Sequence, residues 1–333
     1  MSKFCIIGAG SWATALAIAL LDNNHEITLW EFRKDYCRFL QQNRIHPQIL
    51  PGIIIPEKIE ILDNLELAVK NKDILIICTP SHSVQEVLKQ VKKLYNNQPL
   101  ICATKGLSET DALRMSEVAA KILGDGILDY YIVLSGPSHA EEVAVRIPTA
   151  VVIAGKNNSL LLDIQKKIMT NFLRIYTSND LTGVELAGSL KNIIALASGI
   201  LDGLKLGDNT KGALMTRGLA EISRLGCSMG ANPLTFAGLA GIGDLITTCI
   251  SKHSRNRNAG ERIGRGEKLS EIIASSIMVI EGVRTTKAAR ILSIKADIEM
   301  PIADMMHRVL FEDLSPGKAI SELMTRAAKP EWD

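Results

Sequence analysis

Residues 3–13 read KFCIIGAGSWA, a short apolar run, a glycine turn and the start of a segment with helical spacing. Gly8, Gly10 and Ala13 fit the pattern G-x-G-x-x-A. Gly8 permits a tight turn out of a strand, Gly10 lets the backbone approach a pyrophosphate, and the small Ala13 lets helix and strand pack closely. Amide groups at the helix start then face the phosphates. The pattern predicts a dinucleotide site at the first strand–helix turn, with an ordinary glycine turn as the alternative. The next apolar run, EITLW, ends at Glu31-Phe32-Arg33. An acid there suits the ribose diol of NAD, and a nearby arginine suits the 2′-phosphate of NADP. Both are present, so the choice of cofactor stays open, and solvated surface charge is the plain reading of each.

The chain alternates β-like and helical runs through its first half. Strands are expected at Phe4–Ile7, Glu26–Trp30, Ile74–Cys78, Leu100–Ala103, Ile132–Leu134, Thr149–Ile153 and Arg174–Tyr176, with helical spacing at 13–21 and 84–94. Such alternation predicts a doubly wound, mostly parallel sheet. Residues 45–56, rich in proline, read as an ordered excursion. After about Asn179 only helical segments follow: 181–204, 212–229, 233–239, a run near 258–263, 269–275, 285–295 and 301–310. The expected fold class is therefore α/β, an N-terminal Rossmann-like doubly wound sheet (1–179) followed by an all-helical C-terminal domain (180–333). The tail AAKPEWD is expected to fray.

Composition narrows the function. At 333 residues, 47% hydrophobic and 22% charged, the chain is ordinary for a globular protein of two domains. A formal charge of +2 gives no general polyanion surface, and 4% aromatic residues leave nothing to interleave with the basic groups, so no nucleic-acid partner is expected. The six cysteines form no CxxC pair, and the histidines form no HxxxH or HExxH, so small buried thiols and no metal site are expected. Gly, Ser, Asn and Thr interrupt the longest apolar runs, which argues against membrane insertion, and no signal peptide is visible. The cytoplasm is the expected compartment. The apolar helical half is compatible with a homodimer.

Two isolated charges suggest where chemistry occurs. Leu186–Leu201 holds one charge, Lys191, and Leu225–Ser251 holds one, Asp244. A lysine in an apolar helix has its pKa lowered by desolvation and further by a second cation, and can then exchange a proton with a hydroxyl near neutral pH. A snorkelling lysine is the alternative. Asp244 can pair with a lysine, orient it or bind a hydroxyl, or else serve as a helix N-cap. Lys105 follows the strand LICAT at the edge where open α/β sheets bind ligands, although a solvent-exposed loop lysine would read the same. The Ser254-Arg255-Asn256-Arg257 loop offers hydroxyl, guanidinium and amide donors that suit a phosphate; alone, it would read as a solvated basic loop.

With these segments assembled, the chain resembles bacterial-type NAD(P)-dependent glycerol-3-phosphate dehydrogenases over roughly residues 4–310. The order GAGSWATALA, ATKGL, SGPSHAEEVA, LAGSLKNIIALASG, LAGIGDLITTC, SRNRNAG and VIEGVRT carries the resemblance. It implies interconversion of dihydroxyacetone phosphate and sn-glycerol 3-phosphate with NAD or NADP and no metal, supplying glycerol phosphate for phospholipid synthesis. It also implies catalytic roles for Lys191 as general acid–base and for Lys105 and Asp244. Gly136, Ser138, Lys105, Lys191, Asp244, Ser254, Arg255 and Asn256 would meet substrate. Gly8, Gly10, Ser11, Trp12, Phe32, Arg33, Lys105, Ala140, Arg255, Val279 and Glu281 would meet cofactor.

Two positions depart from the family pattern. His139 stands where phenylalanine is common, and no catalytic role is assigned to it. Glu31 stands where a small residue is common, which weakens an NADP preference argued from Arg33. Two other functions fit the residues less well: a related two-domain 3-hydroxyacid dehydrogenase, which has less need of the SRNR donors, and a non-catalytic nicotinamide sensor, which has little reason to bury Lys191 and Asp244.

Overall fold

The computed structural model describes residues 1–328, 330 and 331. In chain order the strands are β1 Lys3–Ile7, β2 Glu26–Trp30, β3 Ile45–His46, β4 Leu50–Ile54, β5 Glu60–Leu62, β6 Ile74–Ile77, β7 Leu100–Cys102, β8 Tyr131–Ser135, β9 Thr149–Gly155 and β10 Leu173–Ser178. The helices interleaved with them are α1 Ser11–Leu21, α2 Lys34–Asn43, α3 Leu65–Val69, α4 Ser81–Val91, α5 Met115–Leu123, α6 Ala140–Ala144 and α7 Asn158–Ile168. Then come α8 Leu181–Gly203, α9 Asp208–Ser228, α10 Pro233–Phe236, α11 Asp244–Ile250 and α12 Arg255–Gly264. They are followed by α13 Leu269–Ser275, α14 Glu281–Ala296, α15 Pro301–Phe311 and α16 Pro316–Met324.

Eight strands form one sheet in the order β10-β9-β8-β7-β6-β1-β2-β5. Its pairings are parallel except that of β8 with β9. Chain order reverses at β1, between β6 and β2, and ligands of such sheets bind at that switch point. The central strands β1, β6, β7 and β8 are buried on both faces because both are covered, whereas the edge strand β10 alternates buried and exposed residues. In β1, Cys5 and Ile7 join the core shared with the helical half, and Phe4 and Ile6 join the core under α1.

The seven expected strands are present, their ends shifted by at most two residues. The excursion at 45–56 is the antiparallel β3–β4 hairpin. Strand β5 went unanticipated because three residues give too short a run to show a period, and α16, which opens on a proline, lacks a long apolar face. Helices α9, α12 and α14 start earlier than their apolar spacing implies, since their first turns, DNTK, RNRN and EGVR, are polar. The expected basic loop at 254–257 is consequently the N-terminal turn of a helix. The segment expected as one helix to Leu239 stops at Phe236 and continues as a wide turn over Leu239–Gly243.

Two further expectations need correction. By length and hydropathy, the segments 181–203 and 233–250 reach what a bilayer span requires, because Gly, Ala and Ser interrupt them without making them polar. The apolar window of the first is wholly buried inside the protein. Cys227 is exposed and Cys78 partly so, unlike the other four cysteines, which are buried. The tail expected to fray includes Lys329, Trp332 and Asp333, which lie outside the described residues.

Helix α8 is the axis of the helical half, and its closest neighbour is α12. A Cβ on Gly199 or Gly203 would collide with the α12 backbone at Arg257 or Glu261, and a Cβ on Gly260 or Gly264 with the α8 backbone at Leu196 or Ile200. Four glycines, paired at a spacing of four on each helix, therefore bring the two backbones into direct contact. That approach fixes the start of α12 beside the middle of α8. Gly260→Ala should push the helices apart and cost about 1–3 kcal/mol of stability, read as a lowered midpoint in thermal unfolding of the full chain.

Candidate active site

The turn after β1 is built as the sequence requires. Gly8 sits at φ +118°, and a Cβ there would meet the Cys78 carbonyl oxygen at 2.8 Å. Its N–H donates to Trp30 O at 3.0 Å, fixing the turn to the end of β2. Gly10 occupies the N-cap of α1 with no side-chain cap, and a Cβ there would meet nothing within 4 Å. The first amides of α1, beginning at Ser11 and Trp12, thus face an open crevice. This is a cradle for a phosphate group, and the residues fit a dinucleotide. Ala140, the first residue of α6, is buried where α6 packs on α1. Phe32 is exposed at the end of β2, and Arg33 beside it donates to Glu31.

Lys105, Lys191 and Asp244 meet. Asp244 Oδ2 accepts from Lys105 Nζ at 2.7 Å, and Oδ1 accepts from Lys191 Nζ at 2.8 Å. Lys191 and Asp244 are 5% and 2% exposed. Lys105 also donates to the Gly136 carbonyl at 2.8 Å, and Lys191 to Thr248 Oγ1 at 2.5 Å. Thr248, one turn beyond Asp244, donates in turn to the Asp244 carbonyl at 2.6 Å. Lys105 comes from the loop after β7, Lys191 from the middle of α8 and Asp244 from the first turn of α11, so one carboxylate ties three elements together. The N-cap of α11 is Gly243, so the capping alternative for Asp244 fails. Gly188, one turn before Lys191, makes room for this approach, since a Cβ there would meet Ser135 Oγ at 2.5 Å and Lys105 Cγ at 3.8 Å.

The charges follow from the geometry. Burial lowers the Lys191 pKa most, Asp244 raises it and Lys105 lowers it again, leaving it at about 8. Burial pushes the Asp244 carboxyl up, but the two ammonium groups outweigh it and leave its pKa below the ordinary value. The centre is a carboxylate flanked by two amines, one of which titrates near neutral pH.

The Ser254–Asn256 segment is held from within. Ser254 Oγ accepts from Arg257 N at 3.2 Å and caps α12. Asn256 Nδ2 donates to Asn192 Oδ1 at 2.9 Å, and its Oδ1 accepts from Gly282 N at 2.8 Å. Arg255 is exposed and donates to the Val279 carbonyl at 3.2 Å. Glu281 accepts from the Ser81 N–H at 3.0 Å and its hydroxyl at 2.6 Å, joining α14 to the start of α4. Ser138 donates to Gly136 O at 3.0 Å. The His139 ring lies 5.9 Å from that of His253 and its buried Nε2 has no partner. Burial, the largest influence, lowers its pKa below the ordinary histidine value. Among the described residues no cluster of three or more His, Cys, Asp and Glu could hold a metal ion.

Sequence reasoning missed Thr248, Asn192 and Ser81. Thr248 stands four residues from Asp244, and Asn192 adjoins Lys191, so helical spacing around the two isolated charges pointed to them. Nothing local marks Ser81, whose partner is 200 residues away.

Residues 3–161 match the model of the NAD-dependent glycerol-3-phosphate dehydrogenase N-terminus, and residues 180–321 that of the C-terminus. The chain belongs to the NAD-dependent glycerol-3-phosphate dehydrogenase family. It is 50% identical over 332 residues to glycerol-3-phosphate dehydrogenase [NAD(P)+] of Pelotomaculum thermopropionicum, covering 99% of this chain and 95% of that one. To the enzyme of the same name from Geobacillus thermodenitrificans it is 46% identical, over 100% of this chain and 97% of that one. The crystal structure of glycerol-3-phosphate dehydrogenase from Coxiella burnetii superposes with a TM-score of 0.93 at 38% identity, covering 98% and 99% of the two chains. The chain is thus an NAD(P)-dependent glycerol-3-phosphate dehydrogenase, with the Rossmann-like and helical parts of that family.

The bridging carboxylate makes a test. Asp244→Asn leaves the buried Lys191 and the partly buried Lys105 ammonium groups facing each other, and removing one partner of a buried pair costs about 3–5 kcal/mol. The loss should be larger at pH 7 than at pH 9.5, where Lys191 has lost its proton, as read by thermal unfolding at the two values.

Proposed function

We propose that this enzyme interconverts dihydroxyacetone phosphate and sn-glycerol 3-phosphate with Lys191 as the acid–base group. The observation that supports it most is a lysine buried beside a carboxylate and a second lysine, at the carboxyl edge of the sheet. When bound, the dinucleotide supplies the hydride exchanged with C2 of the substrate. In the direction of reduction Lys191, as the ammonium, donates its proton to the oxygen developing on C2. Lys105 stabilises negative charge there. Asp244 holds both amines in place and, as a carboxylate, keeps their charge tolerable in a buried site. In the direction of oxidation the Lys191 amine takes the proton back.

The substrate phosphate in this reading sits at the start of α12. Ser254 Oγ accepts from Arg257 N and its O–H can still donate, and the Arg255 and Asn256 N–H groups have no partners within the helix. An anion is favoured at such an end, and the exposed Arg255 guanidinium adds a charged donor. Asn256 serves as a brace between α8 and α14 more than as a side-chain ligand. We assign the Rossmann-like domain to residues 1–179 and the substrate domain to 180–333, with the turn at 178–180 between β10 and α8 as the border. Phospholipid synthesis is the use of the product that this reading implies. The free thiols suit the reducing cytoplasm.

Lys191→Ala should lower turnover by about 10²–10⁴-fold with folding intact, and near-normal turnover would remove Lys191 from the proton step. The pH profile carries a sign. Reduction needs the ammonium, so its rate should fall as pH rises through about 8; oxidation needs the amine and should rise over the same range. Steady-state rates with dihydroxyacetone phosphate and with glycerol 3-phosphate across pH 6–10 check both limbs.

A further inference from the structure

Glu31 follows the last residue of β2, directly beside the glycine turn, because Gly8 N donates to Trp30 O and Glu31 N to Leu62 O at 2.9 Å. Its side chain is 4% exposed. Both carboxylate oxygens are engaged by one residue: Oε1 accepts from the Arg33 backbone N–H at 3.0 Å and Nε at 2.8 Å, and Oε2 accepts from Nη2 at 3.3 Å. The guanidinium lies over the Tyr36 ring at 4.4 Å. Tyr36 OH bonds His46 Nδ1 at 2.7 Å, and His46 Nε2 bonds Thr14 Oγ1 at 2.9 Å, linking α2, the β3–β4 hairpin and α1. Burial pushes the His46 pKa down to about 4, so this chain of contacts adds no second cation. Lys34, the remaining cation on this turn, is exposed beside the exposed Asp35.

We propose that Glu31 selects NAD(H) over NADP(H) by locking Arg33 in a pair that a 2′-phosphate would have to break. A carboxylate has about four acceptor positions and Arg33 takes three, so one remains on Oε2 for a ribose hydroxyl. A phosphate in place of that hydroxyl meets the carboxylate in a position poorly screened by water. Arg33 can turn to the phosphate only by leaving Glu31 buried without its counter-ion, and the Tyr36 stack opposes the move. The two residues that made cofactor choice ambiguous in the sequence are thus one unit, and the arginine is not free.

The inference rests on the dinucleotide reading of the Gly8 crevice. Its test is direct titration of the full chain with NADH and with NADPH, followed by nicotinamide fluorescence in the absence of substrate. The native chain should bind NADH at least about tenfold more tightly, the scale of one charge-assisted bond. Glu31→Ser should tighten NADPH by about tenfold or more, and Arg33→Gln in the Glu31→Ser chain should abolish that gain. Glu31→Gln, close in volume, should move the ratio the same way by a smaller factor and covers the case in which the serine variant does not fold. Equal native affinities, or a ratio that neither substitution moves, would overturn the proposal. Binding of neither dinucleotide would overturn the cofactor reading beneath it as well.

Discussion

One buried carboxylate governs the centre of this enzyme. Asp244 reaches a lysine from the sheet and a lysine from the helical half, and neither ammonium has another carboxylate within salt-bridge distance among the described residues. Without it the buried Lys191 and the partly buried Lys105 would repel each other, and Lys191 would lose hydration uncompensated. The relative placement of the β7 loop, α8 and α11 is therefore tied to a single charge. The cost of burying Lys191 is retained as a lowered pKa, which is the property proton transfer needs near neutral pH.

The supporting structure acts on the same point. Glycines on α8 and α12 let the two backbones touch, which sets the N-terminal turn of α12 beside the helix that carries Lys191. Asn192, next to Lys191, bonds Asn256, which in turn accepts from Gly282, so α8, α12 and α14 are in register at the site. Glu281 then ties α14 to the start of α4 in the sheet domain. A short relay of buried and partly buried polar contacts thus connects the helix that carries Lys191 with the start of α4 in the sheet half.

Much of this was legible in the residues themselves. Strands buried on both faces give unbroken apolar runs, and Lys191 and Asp244 stood out because nothing else in their segments is charged. Other features were hidden for physical reasons. Asp244 before an apolar run carries the same local signature whether it caps a helix or bridges two lysines, and only the tertiary contact separates them. Ser254 and Asn256 read as ligands because their donors are the right kind; that Ser254 also caps α12 and that Asn256 also bridges Asn192 and Gly282 shows only in the tertiary structure. Polar first turns concealed the true start of α12, so a helix N-terminus was read as a basic loop. The Glu31–Arg33 pair was visible as two residues with opposite implications, and the distance that joins them was not.

The most direct test of the account is the titration of the Lys191 ammonium itself, followed by heteronuclear NMR of lysine side chains in the full-length enzyme. Comparison with a Lys191→Gln chain assigns the signal. The expected midpoint is near 8, well below an ordinary lysine. A midpoint at the ordinary value of about 10.4 would mean the group is solvated, and would contradict the role given to it.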